Sequence, residues 1–194
     1  MTATRALMAI GLSLWLAGCA SSGPAPTQYL LPGDDAATLA GADAAHRLVV
    51  APPRLARFLD VDGLVLQLDD ITLNAANHHQ WAEPLARQLE RGLRARLAAR
   101  LPETRILSDS ADSRRRNVPS LHLEVTGFHG RYDGQAVTQG QWQLRDAEGE
   151  LQAEARFSVD VALAEDGYPA LVRALGTSWD RVSDAIATHI KRLR

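Results

Sequence analysis

Apolar and polar residues alternate in three runs between Leu121 and Leu163. Leu121, Leu123 and Val125 alternate with His122, Glu124 and Thr126. Thr138, Gly140, Trp142 and Leu144 form a weaker set, and Leu151, Ala153, Ala155, Phe157, Val159, Val161 and Leu163 an unbroken third. A period of two with one apolar side predicts half-buried strands of an antiparallel sheet. Asp133-Gly134 and Glu148-Gly149 fall between the runs as turn signals. Two stretches change to the helical period. Trp81, Leu85, Leu89, Leu93 and Leu97 recur at every fourth position, which predicts a helix from about Trp81 to Leu101, with Pro84 in its first turn and Pro102 beyond its end. Leu171, Leu175, Trp179, Val182, Ile186, Ile190 and Leu193 predict a second helix over Tyr168–Leu193. Earlier, Leu48–Ala51 stops at Pro52-Pro53, and Gly63–Leu68 with Ile71–Leu73 reads as a hairpin around Asp69-Asp70. The expected fold is α/β in the α+β sense: a two-layer sandwich, its mainly antiparallel sheet carrying two amphipathic helices on one face.

The N-terminus follows a different logic. Arg5 precedes an uninterrupted apolar and small run, Ala6–Ala17, and Leu16-Ala17-Gly18-Cys19 closes it. A charged start, a short apolar stretch and small residues before a cut site make an export signal. The run is shorter than the roughly 20 residues needed to span a bilayer. Leu-Ala-Gly-Cys resembles the bacterial lipobox, which implies cleavage before Cys19 and acyl chains on that cysteine. That covalent lipid is the only attached group expected, with no other cofactor. Ala20 follows Cys19; in the enteric sorting rule, the lack of Asp at that position directs a lipoprotein to the outer membrane.

Residues 1–18 are therefore expected to be a signal peptide. Residues 19–46, rich in Ala, Gly, Ser, Pro and Asp, read as a lipidated flexible tether in which Tyr29-Leu30-Leu31 is a short edge-strand candidate, and 47–194 as the periplasmic domain. Cleavage leaves 194 − 18 = 176 residues, enough for one domain of ordinary size. A formal net charge of −2 argues against nucleic-acid binding. Cys19 is the single cysteine, so a lipidated chain has neither a disulfide framework nor a thiol nucleophile.

Candidate chemistry is sparse. His78-His79 precede the first expected helix and read as a polar loop, without a partner at metal-ligand spacing. His122 and His129, seven residues apart, are expected on opposite faces of one strand and solvated. No nucleophile elbow, phosphate-cradling glycine loop or zinc-protease helix appears. The expectation is no catalytic residue, no metal site and no enzyme. Basic residues form two clusters, Arg87, Arg91, Arg94, Arg96 and Arg100 on the first helix and Arg114-Arg115-Arg116 in a loop. Either could meet anionic headgroups or an acidic partner, but the polar side of a packed helix is normally charged. Glu83 with Arg87, and Glu90 with Arg94, have the spacing of surface ion pairs.

One ordered set of short motifs goes further. Tyr29-Leu30-Leu31 is followed by Val49–Pro53, Phe58-Leu59-Asp60 and Trp81-Ala82-Glu83-Pro84-Leu85, then by Trp142-x-Leu144, Phe157 and a C-terminal helix. With a lipobox in front, this series resembles the ABC-type transport auxiliary lipoproteins, the PqiC/YmbA group, over most of the mature chain. Phe58 stands where that family often has Tyr, and Val61-Asp62 where a basic residue and Pro are common. The resemblance implies a non-catalytic outer-membrane lipoprotein that works with an MCE-domain periplasmic protein and, through it, an inner-membrane permease or ATPase, in phospholipid transport between the two membranes. It is compatible with a homo-oligomer. Phe58, Leu59 and Asp60 are the expected partner contact, because core periodicity does not account for them. Trp81, Pro84 and Leu85 are expected to start the helix and pack the core. The rival reading is a structural or assembly lipoprotein, serving glycolipid export or activation of a cell-wall synthase.

Overall fold

The computed structural model describes residues 25–33, 44–110 and 117–193. In chain order these form β1 (Thr27–Tyr29), β2 (His46–Val50), β3 (Arg54–Leu55), a 3-10 turn (Arg57–Leu59), β4 (Gly63–Gln67), β5 (Leu73–Trp81), α1 (Leu85–Arg100), β6 (Thr104–Ser108), β7 (Ser120–Arg131), β8 (Gln135–Arg145), β9 (Leu151–Ala162) and α2 (Tyr168–Arg192). The expected α+β sandwich forms, with one mixed sheet and both helices packed against its inner face.

Strand β7 is the axis of the sheet. On one side it runs antiparallel to β8, and β8 to β9, through the two hairpins that alternation predicts. Gly134 and Gly149 take positive φ at the turns (77° and 90°), a conformation that costs glycine nothing. On its other side β7 is lined in succession by β2, β3 and β4, all parallel to it. These three strands form one interrupted strand, broken at Pro52-Pro53 and at the 3-10 turn. β6 flanks β2, whereas β5 flanks β4 and carries β1 at the edge.

The core lies between sheet and helices. Leu85, Leu89, Leu93 and Leu97 of α1 are buried as their spacing requires, as are Leu171, Leu175, Trp179, Val182, Ile186 and Ile190 of α2. Each fully buried side chain of this size contributes roughly 1.5–3 kcal/mol. The Trp179 Nε1–H donates to the Leu89 carbonyl at 3.0 Å, tying the helices, and its ring meets Phe128 and Phe157 edge-on. At the α1 end of the interface, Asp184 of α2 accepts two bonds from Arg96 and two from Arg100, all of 2.7–2.8 Å.

Four local expectations are corrected. α1 begins at Leu85: Pro84 is its N-cap, with an extended ψ of 129°, and Trp81 ends β5, where its N–H bonds the Asp62 carbonyl at 2.7 Å. His78 and His79 lie on β5, not in a loop. The register of β7 against β8 slips between Val125 and Gly127, so the side-chain alternation reverses there. Phe128 consequently points to the helices, and His129 shares the helix-free side with His122. His129 is also buried, not solvated. Lastly, Glu83 pairs with Arg91 across two turns instead of with Arg87, while the Glu90–Arg94 pair forms at 3.9 Å.

Candidate anchor and docking site

Cys19 and the signal segment lie outside the described residues, as does Arg114-Arg115-Arg116. The chain becomes part of the fold at Thr27. Three backbone pairings set β1 beside the far half of β5, Thr27 opposite His79 and Tyr29 opposite Trp81, and Ala82 N–H extends the ladder by bonding the Tyr29 carbonyl. Tyr29 Oη and His79 Nδ1 share a hydrogen bond of 2.8 Å, and the His79 ring stacks at 3.8 Å on Tyr168, the first residue of α2. The residues after β1 are fixed more firmly. Leu31 is buried, and its N–H donates to Gln88 Oε1 at 2.8 Å. Gln88 is itself buried and uses its other end to bond the Glu83 carbonyl at 3.0 Å. Pro32 then lies on Gly176 of α2, where an added Cβ would stand 2.6 Å from the proline ring. The short edge strand expected at Tyr29-Leu30-Leu31 thus forms two residues earlier, and residues 31 and 32 form a latch onto both helices.

The Phe58-Leu59-Asp60 segment divides by side chain. It follows β3 in the 3-10 turn, where Leu59 N–H bonds the Ala56 carbonyl at 2.8 Å and Ala56 N–H bonds Val125 at the β7 bulge. Leu59 is 1% exposed and joins the core, so its role is to hold the turn down. Asp60 faces solvent. Phe58 is 37% exposed, with its ring centre 6.4 Å from that of His129. Only Phe58 and Asp60 are therefore available to a partner. Trp81 and Leu85 are buried core residues, while Pro84 is exposed at the N-cap.

The helix-free face carries a polar groove that periodicity did not single out. Ala51, Pro52, Arg54, His122, Glu124 and Gln143 line about 500 Å³ of it. His122 hydrogen-bonds Ser120 Oγ at 3.0 Å, and burial, then the Arg145 charge, lowers its pKa below the usual histidine value. The helix arginines differ from this open face. Of the five, Arg87 is exposed, whereas Arg91, Arg94, Arg96 and Arg100 are engaged by carboxylates, three of them within the α1–α2 layer's own polar rim. The anionic-surface role considered for this helix therefore has little free charge behind it. Among the described residues, no group of three or more His, Cys, Asp or Glu side chains could hold a metal ion, and no helix is long and apolar enough to cross a membrane.

Comparison with known proteins agrees with this build. Residues 29–187 match the family model of the ABC-type transport auxiliary lipoprotein component. The chain is similar to the intermembrane transport lipoprotein PqiC of Escherichia coli (strain K12), with 34% identity over 182 residues, 93% of this chain and 95% of that one. PqiC of Shigella flexneri matches at the same level. Among solved structures, an uncharacterized protein superposes with a TM-score of 0.75 at 31% identity, over 86% of this chain and 99% of that one. A protein of Xanthomonas campestris shares the fold at 18% identity, with a TM-score of 0.67 over 87% and 94% of the two chains.

Proposed function

This chain belongs to the ABC-type transport auxiliary lipoprotein family, and from that premise we propose that it is the non-catalytic outer-membrane subunit of an MCE-type intermembrane phospholipid transport system. Acyl chains on Cys19 hold it to the outer membrane, and the folded domain docks the periplasmic MCE-domain protein, which reaches an inner-membrane permease or ATPase. The observation that carries this reading is the similarity to PqiC over nearly the whole of both chains. The architecture supports it: the chain joins the fold at β1 and is latched by Leu31 and Pro32, so a force transmitted to Thr27 acts on the body of the domain and not on a loose end. Exposed Phe58 and Asp60 remain the proposed partner contact, and they stand at the margin of the helix-free face, away from the helices.

Crosslinking of the tagged, lipidated protein in native membranes, followed by mass spectrometry, tests the proposal. Recovery of an MCE-domain protein is the expected result, and Phe58→Ala with Asp60→Ala should reduce it without altering the amount of folded subunit. Recovery of cell-wall synthases or glycolipid-export proteins alone would overturn the transport assignment.

A further inference from the structure

The β4–β5 hairpin projects beyond the core. Leu73, Asn74 and Ala75 are exposed although they belong to a paired strand. Its turn is nevertheless well ordered. Asp69 Oδ1 accepts the N–H groups of Ile71 at 2.9 Å and Thr72 at 2.7 Å, and Leu68 N–H bonds the Thr72 carbonyl at 2.8 Å. This rigid turn presents apolar side chains to solvent: Ile71 is 87% exposed, Leu68 53% and Leu73 42%. A hairpin tip is ordinarily polar, so a β-branched residue held at its apex calls for a partner.

The same end of the molecule gathers more. Gln67 is in register with Arg131, so the β4–β5 tip lies beside the β7–β8 turn, where Tyr132 is 62% exposed. Its charge is acidic. Asp69, Asp70, Asp133, Glu165 and Asp166 are exposed there, and the nearby Arg131 is already bonded to Asp133 and Asp160.

The direction of the chain favours the bilayer as that partner. β1 runs parallel to β5, and β5 starts at the tip, so the chain enters β1 from the tip side. Thr27 pairs with His79, six residues along β5 from Leu73, or about 20 Å. Eight residue steps separate Cys19 from Thr27, a reach of at most about 26–29 Å. That reach exceeds the distance to the tip, so an acylated Cys19 can lie level with the tip when the tip faces the bilayer. We infer that Leu68, Ile71, Leu73 and Tyr132 form a membrane-contact end that rests in the interfacial layer of a zwitterionic phospholipid leaflet beside the acylated Cys19. The inference rests on the lipid-anchor reading above. Apolar tips supply the favourable burial, and the acidic surround disfavours an anionic surface.

Because Cys19 is blocked by lipid in that reading, a second cysteine can be labelled selectively. The test uses full-length lipidated protein carrying Ile71→Cys or, at the opposite end, Glu148→Cys, each bearing an environment-sensitive fluorophore, in phosphatidylcholine–phosphatidylethanolamine vesicles. Both sites are exposed, so neither change should disturb folding. Position 71 is expected to show blue-shifted emission and quenching by brominated acyl chains, with position 148 unaffected, and the shift should shrink when anionic lipid is added. Protein that floats with vesicles while position 71 stays as wet as 148 would overturn the membrane-contact end alone, leaving the tip for a protein partner. Protein that fails to float would overturn the anchor, and this orientation with it.

Discussion

Gly140 marks the closest approach in the sheet. A Cβ built there would stand 2.1 Å from the Glu124 carbonyl oxygen and 2.6 Å from the Phe157 ring. One obstacle is backbone and the other is a core aromatic, so neither can yield cheaply. Gly140→Ala should destabilise the domain by about 1–3 kcal/mol, read as a lower urea midpoint with an unchanged slope; an unchanged midpoint would mean that the β7 bulge absorbs the strain. The alternation that includes Gly140 was legible because Thr138, Trp142 and Leu144 keep its parity. The parity of β7 was not. Thr126 is the extra residue at the slip, and neither Thr126 nor Gly127 announces a bulge by its chemistry. Unbroken alternation along β7 therefore places His129 on the wrong face. Trp81 mimics a helical position for a different reason: it sits four residues before Leu85, a spacing that a strand end followed by a helix can reproduce by accident.

At the scale of elements, the α1–α2 pair depends on polar as well as apolar contacts. The hydrogen bond from Arg96, aided by Arg100, lowers the Asp184 pKa from 3.8 to about 2. A carboxylate with a depressed pKa stabilises the fold above its unfolded value and loses that contribution as pH falls through the folded one. The relevant window thus runs from 3.8 down to about 2. Asp184→Asn should cost on the order of 1 kcal/mol at neutral pH, since both arginines are partly exposed and screened. Urea titrations of both proteins from pH 7 to pH 2 should converge at the acid end; a constant gap would place the effect in packing. Amphipathic helices and the β7–β8–β9 meander were readable because each has one wet and one dry face. β3, β6 and the first half of β5 were not. β3 has two residues and β6 five, and the projecting Leu73, Asn74 and Ala75 of β5 are exposed on both sides, so the start of that strand carries no apolar period.

For the whole molecule, Gln88 decides how closely the N-terminal segment follows the domain. Gln88→Leu keeps the volume but removes the acceptor for Leu31 N–H and the donor for the Glu83 carbonyl. Leaving such buried groups unmatched costs about 1–3 kcal/mol, here concentrated on residues 27–33. Amide exchange should accelerate at Leu31 while the middle of α2 stays protected; equal acceleration everywhere would show a general loss of stability instead. The family signature was legible in the order of motifs, and the two-layer class in their periodicities. The parallel strand order was not, since alternation specifies which face is dry and not which strand lies beside which.

That order has a consequence for the way the chain acquires its shape. β2, β3 and β4 pair with β7, whose first residue, Ser120, follows the last residue of β4 by 53 positions (120 − 67). As synthesis proceeds from the N-terminus, the first third of the sheet is made before the strand that completes it exists. Only β4 with β5 can close locally in that interval. The β7–β8–β9 meander, by contrast, needs nothing earlier in the chain and can zip through its short turns. Nucleation is therefore expected in the C-terminal half, and a chain stopped before Ser120 leaves β2, β3 and β4 without the strand they share. Such fragments are expected to be among the first substrates of envelope chaperones and proteases.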